Sequence, residues 1–363
     1  MAIKCGIVGL PNVGKSSLFN ALTNANIAAE NYPFCTIEPN SGVVPVSDYR
    51  LEQVSAIADS AEVIPATMEF TDIAGLVAGA SKGQGLGNKF LGHIRETEAI
   101  LHVVRCFEGD NVIHVSGKVD PLNDVEVVET ELALADLETC TKAFEKISRN
   151  TKSGDKDLLK KSKTLEELIS VLEKGDMLRT LDFENDRDVL VRELGLITSK
   201  PVLFVANIDE GTVTSNHHLE KLSNYVTGTK ADFLPICASI ESELIDLPIS
   251  ERHEYLLELG LEEPGLNRLV RAGFALLNLQ SFFTAGPKET RAWTIPVGTA
   301  APSAAGKIHG DFEKGFIRAE VISYQDYVDC GGENGARESG KLRSEGKDYV
   351  VEDGDIIHFR FNV

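Results

Sequence analysis

The sequence predicts an α/β domain that is interrupted by a helical insertion and followed by a small strand-rich module. An apolar run at residues 3–8 leads through a glycine-containing loop into a helix-like segment, as at the start of an α/β unit. Apolar residues at helical spacing fill residues 121–199, and alternating apolar residues with turn signals fill residues 278–363. We therefore expect the α/β domain to comprise residues 1–120 plus 200–277.

Composition narrows the class of protein. The chain has 363 residues, of which 42% are hydrophobic, so it is long enough for two or three globular domains. Its net charge of −20 disfavours a surface that wraps nucleic acid throughout. No segment approaches the roughly 20 apolar residues of a membrane helix, and the 6 cysteines are spaced too widely for a zinc or redox pair. We expect a monomeric cytoplasmic protein with reduced thiols and no membrane partner.

The strongest motif is Gly-Leu-Pro-Asn-Val-Gly-Lys-Ser at residues 9–16, which fits the pattern G-x-x-x-x-G-K-[ST] of a P-loop. The backbone N–H groups of such a loop bind phosphate oxygens, and the helix N-terminus adds positive potential. Lys15 can then reach the β- and γ-phosphates, while the Ser16 hydroxyl can bind Mg²⁺. The predicted nucleotide-binding residues here are Asn12, Val13, Gly14, Lys15, Ser16 and Ser17.

Two further segments complete a predicted phosphate and magnesium site. Asp72 ends an apolar stretch, so its carboxylate can hold the outer shell of the magnesium ion, and Gly75 can offer its N–H to a γ-phosphate. Thr36, in the loop between the P-loop and Asp72, is a candidate magnesium ligand. The glycine-rich segment at 75–87 predicts a switch that orders around the γ-phosphate and relaxes after hydrolysis.

A predicted base pocket follows another apolar strand and begins at Asn207. Guanine-specific switches carry Asn-Lys-x-Asp at this place, whereas here Ile208 replaces the lysine and Glu210 replaces the aspartate. The longer carboxylate weakens guanine selectivity and makes adenine plausible, because it could accept from the adenine amino group. Asp209 is the alternative carboxylate, one residue off the motif. Ser239 is expected in the last loop that contacts the base.

Together these residues resemble the Obg-related translation-factor NTPases, and within them the YchF-type, Obg-like ATPases. The motifs that carry the resemblance are, in chain order, Asn12–Ser17, Asn31–Phe34, Asp72–Val77, Asn207 with Glu210, and Glu333–Gly340. The resemblance covers the whole chain. It implies a preference for ATP over GTP, hydrolysis to ADP, and association with ribosomes. It also implies that the β-grasp-like C-terminal module at 278–363 is similar to the TGS domain found with this family.

The group that positions the attacking water is not evident. Ras-like enzymes use a glutamine directly after Asp-x-x-Gly, but here that position is Leu76, which predicts slow intrinsic turnover. A polar group must come from elsewhere, such as a partner, a monovalent cation or a mobile side chain. Among the nearby histidines we favour His114 as a catalytic residue, since it is expected in a loop after a strand. His102 lies in a buried strand pattern and His93 on a predicted helix.

The insertion predicts two helices that form an antiparallel coiled-coil arm. Asp120 and Pro121 are a typical helix start. Apolar residues then fall at helical spacing at Val125, Val128, Leu132 and Ala135, and again at Leu158, Leu165, Ile169 and Leu172. A turn near 150–155 would join the two helices. The alternative is a pair of ordinary amphipathic helices that pack on the α/β domain.

The predicted turn of this arm has a charge opposite to that of the whole chain. Residues 142–163 carry eight basic and three acidic side chains, a local charge of +5. Such a run can be a solvated face, but its position favours contact with a phosphate backbone, most plausibly ribosomal RNA. The candidate contact residues are Lys152, Lys156, Lys160 and Lys161.

The sequence thus predicts an ATP-hydrolysing, Mg²⁺-dependent molecular switch that binds ribosomes. A GTP-hydrolysing switch of the same class stays open, as does a nucleotide-gated adaptor whose hydrolysis is incidental. A P-loop small-molecule kinase is a further alternative, although the sequence shows neither an acceptor pocket nor an arginine-bearing lid.

Overall fold

A computed structural model describes most of the chain. The described residues are 3–24, 40–73, 86–108, 118–150, 155–182, 186–212 and 216–362. They separate into two compact units, of which the first comprises Met1–Val43 with Glu69–Leu269 and the second comprises Val44–Met68 with Val270–Val363. Among the described residues, no helix has the length and apolar character needed to span a membrane.

The strands are β1 (Ile3–Val8), β2 (Ser41–Pro45), β3 (Glu62–Ile64), β4 (Thr67–Asp72), β5 (Ala99–Arg105), β6 (Val202–Asn207), β7 (Asp232–Ile236), β8 (Leu279–Ala285), β9 (Glu289–Pro296), β10 (Phe316–Ile322), β11 (Arg343–Glu345) and β12 (Ile356–Phe361). The helices are α1 (Lys15–Asn24), α2 (Tyr49–Ala58), α3 (Leu86–Arg95), α4 (Pro121–Asn150), α5 (Lys156–Glu173), α6 (Asp186–Leu194), α7 (His217–Thr227), α8 (Ala238–Asp246), α9 (Ile249–Glu258), α10 (Gly265–Leu276), α11 (Ala301–Ile308), α12 (Gly310–Lys314), α13 (Tyr324–Asp329) and α14 (Glu333–Glu338). Short 3-10 turns lie at Leu178–Thr180 and Glu210–Thr212.

The first sheet has the strand order β2-β4-β1-β5-β6-β7. β5 runs parallel to both β1 and β6, and β6 runs parallel to β7. Every residue of β5 and β6 is buried, as the continuous apolar runs in the sequence predict for central parallel strands. The carboxyl ends of these strands meet at one edge of the sheet, where ligands bind in open α/β folds. This is the P-loop, GTPase-like α/β fold that the sequence predicts.

The insertion contains the two predicted helices, α4 and α5, which pack against each other. Asp155 caps α5 by accepting a hydrogen bond from the Asp157 N–H at 2.9 Å. The apolar cluster between the helices also includes Leu190 and Val191 of α6, so a third helix contributes to it. The projecting coiled-coil arm stays a prediction.

The second unit contains a sheet with the strand order β11-β10-β12-β8-β9-β3. Its core lies around Phe282, Ile295 and Phe359. Residues 44–68 contribute α2 and the edge strand β3, which runs parallel to β9. The predicted module at 278–363 did not include this segment, because pairing between distant strands leaves no local signal. The similarity of this unit to a TGS domain stays a prediction.

Candidate functional site

Lys15 belongs to the P-loop motif and is the first residue of α1. Its Nζ donates a hydrogen bond to the Leu10 carbonyl at 2.7 Å, and the side chain is buried. Burial lowers the pKa of Lys15 to about 8, although the Asp72 carboxylate opposes this shift. The ammonium therefore lies in the loop that the motif predicts, held by a carbonyl that a phosphate oxygen can replace.

Both glycines of the motif are required by the local geometry. Gly9 has a φ of 154°, and a Cβ there would lie 2.5 Å from the Val103 carbonyl oxygen. Gly14 has a φ of 97°, and a Cβ there would overlap Nδ2 of Asn207. Only glycine combines this backbone conformation with such close neighbours. The P-loop therefore packs directly on β5 and on the end of β6.

Ser16 and Asp72 meet at the predicted magnesium site. The Ser16 hydroxyl donates to Asp72 Oδ2 at 3.2 Å, while Oδ1 is shielded from solvent and accepts no hydrogen bond from the described residues. Burial raises the pKa of Asp72 against the effects of Ser16 and Lys15. A hydroxyl beside a carboxylate with an unsatisfied oxygen fits Mg²⁺, which prefers hard oxygen ligands. The other two residues predicted here, Thr36 and Gly75, lie outside the described residues.

Asn207 joins two loops at this edge of the sheet. Its Nδ2 donates to the Val13 carbonyl at 3.0 Å, and its Oδ1 accepts from the Ala238 N–H at 3.2 Å. The side chain is buried. One amide thus connects the P-loop to the beginning of α8.

A cleft of about 370 Å³ opens beside this amide, and we call it the Asn207 cleft. It brings together six of the predicted nucleotide-binding residues, namely Asn12, Gly14, Ser17, Asn207, Ile208 and Ser239. Glu210 begins a 3-10 turn and is exposed. It is not among the described residues that line the cleft. Asp209, the alternative carboxylate, does line it.

Phe107 lines the same cleft and was missed in the sequence. Phe107 follows β5. The guanidinium group of Arg105 lies over its ring, with the guanidinium carbon 4.4 Å from the ring centroid. The available signal was an aromatic residue directly after a buried strand, at the edge where parallel strands end. That signal is weak because it spans one residue.

The three histidines considered for catalysis have different surroundings. His102 is buried in β5 and packs on the Phe204 ring with centroids 5.3 Å apart. Burial lowers its pKa to about 3, helped by Arg179 and Lys15, so it is neutral and suits the packing role predicted for it. His93 is exposed on α3. His114 lies outside the described residues, and its catalytic role stays a prediction.

The basic run of the insertion is partly neutralised. Lys161 Nζ forms an ion pair with Glu193 of α6 at 2.9 Å. Lys156 and Lys160 are exposed on α5, and Lys152 lies outside the described residues. The charge count over residues 142–163 did not include Glu193, because that residue lies on the later helix α6.

Two family models match the chain. The one described as "50S ribosome-binding GTPase" matches residues 4–143. The other, named for the C-terminal part of YchF GTPases and described as a protein of unknown function, matches residues 279–362. The first match covers the P-loop and most of α4, and the second covers the C-terminal part of the second unit.

Individual relatives match over the full length. The chain is 57% identical over 363 residues to the ribosome-binding ATPase YchF of Escherichia coli O157:H7, with 100% of both chains covered. It is 50% identical over 366 residues to the protein of the same name from Bacillus subtilis, again with 100% of both covered. Among solved structures, the Schizosaccharomyces pombe YchF GTPase matches with a TM-score of 0.89 and 36% identity, covering 99% of this chain and 97% of that one. The resemblance stated from the motifs is confirmed, and the chain belongs to the YchF family of P-loop ATPases.

Proposed function

We propose that this chain hydrolyses ATP to ADP and phosphate in a Mg²⁺-dependent reaction that is coupled to ribosome binding. The observation that carries the proposal is the juxtaposition of Lys15, the Ser16–Asp72 pair and the Asn207 cleft at one edge of the first sheet. The two bacterial relatives named above are called ribosome-binding ATPases, which supports both parts.

Each phosphate-binding residue has a distinct task in this proposal. Lys15 exchanges the Leu10 carbonyl for a β- or γ-phosphate oxygen and neutralises its charge. Ser16 provides a hydroxyl ligand for Mg²⁺, Asp72 holds the outer shell, and Thr36 is the remaining candidate ligand. The metal ion, when bound, stabilises the negative charge that develops on the phosphate oxygens.

The Asn207 cleft is the proposed site of the base. Ile208 is buried and lines the cleft where guanine-specific switches have a lysine. A carboxylate, either Asp209 in the cleft or Glu210 after a movement of its turn, could accept from the adenine amino group. GTP is the second candidate, because Asp209 could equally accept from the guanine N1–H and N2–H groups. The yeast relative is called a GTPase, which keeps this alternative open.

The group that positions the attacking water is the last part of the site to be assigned. Leu76 replaces the glutamine of Ras-like enzymes, and we propose His114 in its place. Among the other two histidines, buried His102 packs in β5 and exposed His93 lies on α3. Phosphate release by His114→Ala, compared with His93→Ala, tests this assignment, and an unchanged rate for His114→Ala removes it.

Ribosome binding is proposed for the helical insertion and for the second unit, which we interpret as a coiled-coil arm and a TGS-like domain. Lys156 is exposed on α5 and suits a phosphate backbone better than Lys161, which pairs with Glu193. Lys160, also exposed on α5, and Lys152 are further candidates. A ribosomal partner is consistent with a cytoplasmic location. Charge reversal at Lys156 should weaken cosedimentation with ribosomes, whereas reversal at Lys161 should have a smaller effect.

A competition titration of ATP against GTP on the purified chain, followed by phosphate release, is the central test. A large preference for ATP together with loss of turnover in Lys15→Ala supports the proposal. A large preference for GTP would show that the cleft binds guanine and not adenine. Ribosome binding that is indifferent to ATP, ADP and an inert analogue favours an adaptor, and a phosphorylated acceptor instead of free phosphate favours a kinase.

A further inference from the structure

Arg105 is a charged side chain inside the first unit. It ends β5, and its exposed fraction is 1%. Burying a guanidinium costs free energy unless neighbouring groups compensate for the lost hydration. The groups that contact the Arg105 guanidinium therefore indicate the role of this buried charge.

The first of these groups is Phe107, which Arg105 contacts twice. The guanidinium carbon lies 4.4 Å from the ring centroid, within the range of a cation–π interaction. Nε donates a hydrogen bond to the Phe107 carbonyl at 3.1 Å. One side chain thus holds both the ring and the backbone of Phe107, and that ring lines the Asn207 cleft.

The second group belongs to the helical insertion. Asp124 lies in the first turn of α4, which packs against β5, and the residue is buried. Burial lowers the pKa of Arg105, and the carboxylates of Asp124 and Glu108 oppose this shift. Burial also raises the pKa of Cys106, and the Asp124 charge adds to that shift. The Asp124 carboxylate therefore favours the charged form of Arg105.

We propose that Arg105 is a positioning residue for the nucleotide base, because it holds Phe107 in the wall of the Asn207 cleft. The inference rests on the proposed function, because it places a purine in this cleft.

Inorganic tripolyphosphate separates this role from a general structural one. It can occupy the P-loop through the same phosphate contacts as ATP, but it has no base. Isothermal calorimetry on the full chain, with Mg²⁺, would give the dissociation constants of ATP and tripolyphosphate for each variant. For Arg105→Met we expect the dissociation constant of ATP to rise about fivefold and that of tripolyphosphate to stay unchanged.

A further variant probes the geometry of the contact. Arg105→Lys keeps a charge but loses the planar guanidinium, so we expect a smaller loss of ATP affinity than for Arg105→Met.

Arg95 provides the matched control. It is a half-buried arginine that also reaches α4, through a hydrogen bond from Nη2 to Thr139 Oγ1 at 3.1 Å, but it precedes β5, at the end away from the cleft. Arg95→Met should lower the melting temperature without changing the ratio of the two dissociation constants.

The outcomes are distinguishable. If Arg105→Met weakens both ligands equally or neither, the positioning role is wrong. If that variant does not fold, Arg105→Lys decides by the same ratio, and an unchanged ratio overturns the inference. If the unmodified chain binds neither ATP nor tripolyphosphate, the proposed function itself fails.

Discussion

Replacing Asn207 by alanine removes the side chain that joins the P-loop to α8. Its Nδ2 donates to the Val13 carbonyl at 3.0 Å and its Oδ1 accepts from the Ala238 N–H at 3.2 Å. Because the residue is buried, truncation takes a hydrogen bond from two backbone groups that water cannot easily reach. Each such loss costs about 1–3 kcal/mol, so the two together should lower the free energy of unfolding by about 2–6 kcal/mol.

Urea unfolding followed by far-ultraviolet circular dichroism measures this change, and calorimetry measures the accompanying loss of ATP affinity. Asn123→Ala, at an exposed position on α4, is the control and should change the free energy of unfolding by less than about 0.5 kcal/mol. Asn207→Asp keeps the acceptor for Ala238 but places a carboxylate oxygen against the Val13 carbonyl, so its loss should exceed that of alanine. A change for Asn207→Ala no larger than the control's would refute the reasoning.

Three other predictions concern the same unit. Gly14→Ala should abolish measurable ATP binding in calorimetry, because the residue has a φ of 97° and a Cβ would overlap Asn207; retained affinity would contradict this. ATP affinity should hold below about pH 8 and fall as the pH rises through that value, since the pKa of Lys15 is lowered to about 8 and binding requires the charged ammonium. The same titration of Lys15→Arg should show no such fall. Glu129→Gln should lower the free energy of unfolding by about 3 kcal/mol in thermal melts, because Glu129 pairs with buried Arg179 and accepts from the Tyr225 hydroxyl at 2.8 Å.

The parts of the site that follow one another in the chain could be predicted from the sequence. The P-loop is one contiguous motif whose glycines, lysine and serine each have a local geometric reason. The central strands were predictable for a similar reason, since an unbroken apolar run is typical of a strand buried on both faces. The helices of the insertion were predictable from their apolar periodicity and, for α4, from the helix start at Asp120 and Pro121.

Contacts between distant residues could not be predicted in this way. Lys161 was counted as a free positive charge, but α6 brings Glu193 next to it. Leu190 and Val191 of α6 also join the apolar cluster of the insertion, although the prediction of two helices did not include them.

By itself, the amino-acid sequence determined the class of fold and the phosphate-binding loop, because these depend on apolar patterns along the chain and on backbone conformations set by neighbouring residues. Only the tertiary structure decided that Asp209 and Phe107 line the Asn207 cleft and that residues 44–68 complete the second sheet. The physical reason is that these arrangements come from the packing and pairing of segments far apart in the chain. Such long-range pairing leaves no periodic or local signature that a single sequence could show.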